Sequence, residues 1–376
     1  MQVDVGSVDR REGDDRCLAS LQALYSSSVG MARTGQFSFR QALNSEIHES
    51  AAYLKAARQG NGVYVHLPYF IPNPDCDEAE ILVRAKHILW NGRWISDLAR
   101  IPARDAAGRS LFFSDEKNLP AFQDIYVDPA IPSVVRDRLQ NSMGKIIAFY
   151  RDGLHFDPLK DVGVIVTIVR NKGGYSGYGG DSLNIVRMSF DNPEKEDLEN
   201  LDRLFAATFA HELAHKLQKE ALFSLPLGRF ITEGSADFFK VVVQLNAGVI
   251  SETDAKATVR KAFDSCQKLA GGEDLQTRVK KQAINYRAPY DCGMIYYFSA
   301  YFESSASDRE FVRILRKALT GNADYAANVA SLCLLYEPDC RNEHLKSLAA
   351  GDKGSLVAQR DWLMNQLEHR HLPTLP

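Results

Sequence analysis

The chain has 376 residues, 45% hydrophobic and 25% charged, with 45 Lys and Arg against 48 Asp and Glu. This composition suits an ordinary globular chain of two or three packed modules and excludes a disordered, collagenous or coiled-coil protein as a whole. The net charge of −3 offers no global field to nucleic acid or an anionic membrane, so no nucleic-acid partner is expected. The longest apolar stretches, 162–169 and 294–302, fall well short of the roughly 20 residues that cross a bilayer. Met1-Gln2-Val3-Asp4 has no basic region leading into an apolar segment, so no signal peptide is visible and a soluble chain is expected, periplasmic or secreted if a signal was trimmed. The six cysteines, Cys17, Cys76, Cys266, Cys292, Cys333 and Cys340, are too scattered for a disulfide framework. Cys333 and Cys340 suit either a pair in an oxidising compartment or two reduced thiols.

In chain order, Leu18, Leu21, Leu24 and Tyr25, then Ala51, Ala52, Leu54 and Ala56, recur at helical spacing and predict one or two helices from Cys17 to about Arg58. Between Gly62 and Asp128 the runs "VYVHLPYF", "EILVRAKHILW" and "LFFS" alternate with turn-rich clusters, which predicts a small antiparallel β module. Pro129 and Pro132 punctuate the junction to an amphipathic helix over 133–151, with Val134, Val135, Leu139, Ile146, Ile147 and Phe149 on its apolar face. The continuous β-branched run 162–169 reads as a buried strand, and "SLNIVRMSF" as a second. The acidic "DNPEKEDLEN" suits the start of a long helix running to about Glu220. Further helices are predicted over 253–269 and 291–304, from the capping pair Ser307 and Glu310, and over 355–367. The expected modules are 1–60, 61–130, 131–240 and 241–376.

The chemistry is concentrated in His211-Glu212-Leu213-Ala214-His215. Residues four apart share a helix face, so the two imidazoles can bind one cation, while Glu212, about 100° round the cylinder, can reach a water on it. Phe205, Ala206, Ala207, Phe209, Leu213 and Ala214 make this helix apolar around most of its surface, and a helix of that kind belongs inside. Two buried imidazoles and a carboxylate require a partner, and zinc accepts nitrogen and carboxylate ligands while keeping a position for water. After residues 216–232, Glu233 and Asp237 follow at helical spacing: Glu233 is then the third ligand, and Asp237 an acceptor for the free ring N–H of a ligating histidine. An ordinary acidic helix start is the plainer reading of that pair.

With these residues in place, the sequence resembles the gluzincin metallopeptidases, whose HExxH is followed by Glu-x-x-x-Asp on the next helix. The resemblance spans roughly 133–302 and implies an α+β fold: a thermolysin-like catalytic region of small sheet, metal helix and helical C-terminal lobe, preceded by the N-terminal helix and the antiparallel β module. "PYDCGMIYYF" is similar to the tyrosine segment of the aminopeptidase-type branch, which implies that Tyr290 stabilises the oxyanion, with Tyr286, Tyr296 and Tyr297 as rivals. That branch's Gly-x-Met-Glu-Asn segment is absent. The glycine-rich stretch around Gly177, Tyr178, Gly179 and Gly180 lacks the Gly-Lys-Ser/Thr of a phosphate loop and precedes a strand, which excludes nucleotide binding. By the order of elements it occupies the place of the gluzincin substrate strand; a plain hairpin is the alternative.

The expected activity is hydrolysis of a peptide or protein substrate by a zinc-activated water, with zinc on His211, His215 and Glu233 and Glu212 as the base. A non-catalytic metal-containing scaffold and a zinc hydrolase of non-peptide amides are the alternatives. The remaining histidines, among them His66 and His371, show no ligand spacing.

Overall fold

The structure, a computed structural model, describes residues 29–31, 37–39, 56–70, 80–114, 125–170, 177–219, 222, 228–270, 287–304, 306–320 and 353–374. The chain is mixed α+β and divides into two compact units, one of residues 1–138 and 159–202, the other of 139–158 and 203–376. Among the described residues no helix is long and apolar enough to cross a membrane.

The first unit carries the strands β1 (Val29–Met31), β2 (Phe37–Phe39), β3 (Ala56–Gln59), β4 (Gly62–His66), β5 (Glu80–Trp90), β6 (Arg93–Pro102), β7 (Ser110–Ser114), β8 (Ile125–Val127), β9 (Gly163–Val169), β10 (Gly177–Ser182) and β11 (Ile185–Asp191). β4 to β7 form the expected antiparallel module, and β3 joins them to make a five-stranded sheet in the order β3-β4-β7-β5-β6. Asn91 and Gly92 join β5 to β6 with φ of 47° and 71°, the left-handed pair that a two-residue hairpin requires and that Asn-Gly adopts most cheaply. One face of this sheet is a core of aliphatic and aromatic side chains including Val63, Val65, Ile81, Ile88, Ile101 and Phe113.

β8 departs from the expected module. It pairs in parallel with β9 in a second, mixed sheet of order β10-β11-β9-β8. The reason is burial: Ile125, Tyr126 and Val127 are all buried, and β9 is buried along its whole length, as a β-branched run without alternation requires. Tyr126, Ile165 and Ile185 of this sheet share a cluster with Tyr64, Leu89 and Phe112 of the first. β10 is antiparallel to β11 and forms one edge of this sheet among the described residues, β8 the other.

The N-terminal helical expectation is corrected where residues are described: Val29–Met31 pairs with Phe37–Phe39, and Ala56–Gln59 is a strand. The leucines and most of the alanines behind that expectation lie outside the described residues, as do Tyr286, Cys17, Cys76, Cys333 and Cys340.

The helices are α1 (Ala103–Ala106), α2 (Ser133–Ala148), α3 (Lys195–His215), α4 (Gly228–Asn246), α5 (Glu252–Ala270), α6 (Ala288–Glu303), α7 (Asp308–Thr320) and α8 (Lys353–His369). The face of α2 is set by Val135, Leu139, Met143 and Ile146, all buried; Val134, one position off that stripe, is 59% exposed and is no part of the core. α3 starts as its acidic segment predicts, with Glu196 and Asp197 in the first turn and the Glu194 N–H donating to the Asp197 carboxylate at 2.9 Å. Phe205, Ala206, Phe209, Ala210, Leu213 and Ala214 are fully buried along it. Tyr150, in the π turn that follows α2, donates to the Ala210 carbonyl at 2.9 Å.

Two devices hold α4, α5 and α6 together in the second unit. Gly234 and Gly293 sit where α4 and α6 cross, so close that a Cβ on either would lie 2.5 Å from the other's Cα. A disulfide joins Cys266 of α5 to Cys292 of α6, a pairing the scattered spacing of the cysteines did not suggest, and the Ser265 hydroxyl beside it donates to Asp291 at 2.6 Å.

Candidate metal centre

His211, Glu212, His215, Glu233, Asp237 and Tyr290 all lie in the second unit. α3 ends at His215, so His211 and His215 occupy its last full turn on one face, and α4 presents Glu233 and Asp237 to them. His211 Nε2 and His215 Nε2 are 3.1 Å apart, and Glu233 Oε2 lies 3.2 Å from the first and 3.4 Å from the second. These residues form a group able to hold a metal ion.

The outer partners decide where the ring protons are. His211 Nδ1 is 2.7 Å from Asp237 Oδ1, an acceptor, so Nδ1 carries the proton. The Gln218 Nε2 group donates to the Thr232 carbonyl at 2.7 Å and to Ser235 Oγ at 2.9 Å, which turns its Oε1 toward His215 Nδ1 at 2.9 Å and makes that nitrogen a donor as well. Both Nε2 atoms of the neutral rings therefore point lone pairs at the same place as the Glu233 carboxylate. Three acceptors facing one another repel unless a cation stands among them. For zinc with bonds of about 2.0–2.1 Å in tetrahedral array, neighbouring ligand atoms are about 3.3 Å apart, which matches the observed triangle.

The electrostatics agree. Burial opposes charge on His211, but the hydrogen bonds it donates to Asp237 and Glu233 outweigh it and raise its pKa from 6.5 to about 9: without a metal, a proton takes the cation's place. Glu233 is held below the ordinary carboxylate range: burial works against ionisation, and the two histidines overcome it. Asp237 is held low in the same way, by Lys240 and His211 against burial. Lys240 Nζ donates to Asp237 Oδ1 at 2.6 Å, on the oxygen that His211 also uses, while Oδ2 is buried without a hydrogen bond. Glu212 is 6% exposed, and its charge acts on both His211 and Tyr290.

Of the candidate tyrosines among the described residues, Tyr290 is the one at the centre. Its ring stacks on His211 with centroids 5.6 Å apart and planes 21° from parallel, and the Arg287 guanidinium covers it at 5.1 Å. Burial and the charges of Glu233 and Glu212 push the Tyr290 hydroxyl pKa up, against a hydrogen bond and charge from Arg229. Tyr296 and Tyr297 are buried in packing: Tyr296 stacks edgewise on Phe230, and Tyr297 donates to the Ile231 carbonyl at 3.1 Å.

Gly177, Tyr178, Gly179 and Gly180 lie on β10 in the first unit, where Gly179 and Gly180 are exposed. The sequence reading passed over Gln218, Lys240 and Arg229. All three stand at helical spacing from a named residue (three after His215, three after Asp237 and four before Glu233), which is the signal that could have found them. The histidines set aside have local roles: His66 Nδ1 meets Ser110 Oγ at 3.0 Å, and burial lowers its pKa to about 4.

No protein-family model matches the sequence, and no curated protein matches it. Among solved structures, the chain is similar to an aminopeptidase N family protein from Idiomarina loihiensis, with 10% sequence identity and a TM-score of 0.44, over 99% of this chain and 72% of that one.

Proposed function

We propose that this chain is a zinc-dependent peptidase of gluzincin type, with His211, His215 and Glu233 as metal ligands and Glu212 as general base. The observation that supports it is the convergence of two Nε2 lone pairs and a carboxylate oxygen, with both histidine protons turned outward to Asp237 and Gln218. A zinc ion bound by such a set supplies Lewis-acid polarisation of a carbonyl and makes a water acidic near neutral pH.

The rest is done by the chain's own side chains. Glu212, buried beside His211, takes the proton of the attacking water and hands it to the leaving amine. Tyr290 is protonated at neutral pH, its surroundings pushing its pKa further up, and a protonated phenol donates a hydrogen bond to the developing oxyanion. Asp237 and Gln218 keep both imidazoles in the tautomer that ligates, and Lys240 balances the Asp237 charge.

Elemental analysis and a mixed peptide library test the reading together. About one zinc per chain is expected, with His215→Ala losing it. Glu212→Gln should keep the metal while hydrolysis falls by about 10²-fold or more. Wild type without metal, or Glu212→Gln with undiminished turnover, sinks the proposal.

A further inference from the structure

Arg229 stands on the first turn of α4, four residues before Glu233 and eight before Asp237, so the three share a helix face. Asp237 is buried and the Glu233 side chain is 14% exposed, whereas Arg229 is exposed. An arginine one turn from a glutamate commonly pairs with it. Here Glu233 is engaged by the two histidines instead, at 3.2 and 3.4 Å, and Arg229 forms no ion pair with a described carboxylate. Its neighbour is the Tyr290 hydroxyl. Arg287, the other guanidinium at this tyrosine, is committed: it covers the ring at 5.1 Å and binds Asp291 at 2.8 Å. One face of α4 thus runs from the buried Asp237, through the ligand Glu233, to a solvent-exposed cation not neutralised by a described carboxylate.

Resting on the peptidase reading above, we propose that Arg229 sets substrate specificity by binding a carboxylate on a residue flanking the scissile bond. The hydroxyl of Tyr290 addresses the carbonyl oxygen under attack, and Arg229 lies beside that hydroxyl. Successive residues of an extended peptide are about 3.8 Å apart, so the group that reaches Arg229 belongs to the next residue. Its anionic group is either the free α-carboxylate, when that residue ends the chain, or an Asp or Glu side chain. Either presents two oxygens to the planar guanidinium fork, the geometry for which arginine is suited and lysine is not.

The test uses three peptides, Ala-Phe-Ala, its C-terminal amide, and the amide of Ala-Phe-Asp, on the zinc-loaded chain. Their affinities are measured by calorimetry on the Glu212→Gln protein, and kcat and KM on the protein with Glu212 intact. Each measurement is made with and without Arg229→Gln, and zinc content is recorded in every sample. A charged hydrogen-bonded contact predicts that a carboxylate-bearing peptide binds about 10- to 100-fold more tightly than the plain amide. Arg229→Gln should collapse that ratio to near one, and Arg229→Lys should restore only part of it. Preference for Ala-Phe-Ala assigns the α-carboxylate, and preference for the Asp amide the side chain. Equal binding of all three peptides overturns the proposal. So does a ratio that survives Arg229→Gln while kcat falls alike for every peptide, the mark of an arginine that only positions Tyr290. Absent zinc, or turnover indifferent to Glu212, instead refutes the peptidase reading, and the calorimetric ratio still judges Arg229 independently of turnover.

Discussion

Replacing Gly234 or Gly293 by Ala tests whether the crossing of α4 and α6 assembles the site. Each added Cβ would stand 2.5 Å from the opposing Cα, and that of residue 293 also 2.7 Å from the Phe230 carbonyl oxygen. Carbon contacts are comfortable near 3.5–4.0 Å, so the helices have to part by about 1 Å or more. Because both obstacles are backbone, no side chain can swing aside. Overpacking of this kind costs about 1–3 kcal/mol, and the upper end applies to a backbone clash. The better helix propensity of Ala returns up to about 1 kcal/mol, leaving a net loss of about 2 kcal/mol. For a unit of this size that lowers Tm by about 4–8 °C. Gly234 follows the proposed ligand Glu233 directly and Gly293 stands one turn after Tyr290, so parting the helices also opens the 3.2 and 3.4 Å spacings from Glu233 to the histidines. Thermal unfolding and chelator competition measure the two effects, and metal affinity should fall together with Tm. The double variant should cost less than the sum of the singles, because the first Ala has already separated the helices. Unchanged Tm in either single variant, or additive losses, would refute the reasoning.

Gln218→Ala removes the acceptor that fixes the His215 tautomer, so metal affinity should fall by about 10- to 100-fold without loss of fold; equal chelator competition would contradict this. In metal-free protein the raised pKa of His211 adds stability that is fully present below pH about 6.5 and is lost as pH rises through about 9, on the order of 3 kcal/mol in all. With metal bound that loss should disappear, because the ion takes the proton's place and the folded ring no longer titrates between about 6.5 and 9. Denaturant titrations from pH 6 to 10, with and without metal, give the sign, and parallel curves would exclude the exchange of proton for metal.

Periodicity made much of the fold legible. β9 and α3 declare themselves by an unbroken β-branched run and an acidic start before an apolar cylinder, and both are local signals. What failed was non-local. Ile125–Val127 carries nothing to say that its partner is Val164–Val166 and not the neighbouring hairpins, and Val134 looks as apolar as Val135 until the helix is docked. Strand pairing between Val29–Met31 and Phe37–Phe39 likewise cannot be seen in a stretch whose leucines are spaced for a helix.

The site divides along the same line. That His211, His215, Glu233 and Asp237 can act together follows from two i, i+4 pairs, which a helix brings to one face whatever surrounds it. Which tyrosine joins them does not: Tyr290, Tyr296 and Tyr297 share one helix, and burial alone assigns two of them to the core. Gly234 and Gly293 are, in sequence, only helix glycines with a propensity cost of about 1 kcal/mol each; their reason appears when α4 and α6 cross through them. The proton positions need still more. His211 and His215 ligate only as tautomers with Nε2 unprotonated, and Asp237 and Gln218 impose this from outside the ligand set. Gln218 can do so because the Thr232 carbonyl, one residue before Glu233, orients its amide. The helix that brings the proposed third ligand therefore also prepares the proposed second, and a variant that moves α4 should lose both at once.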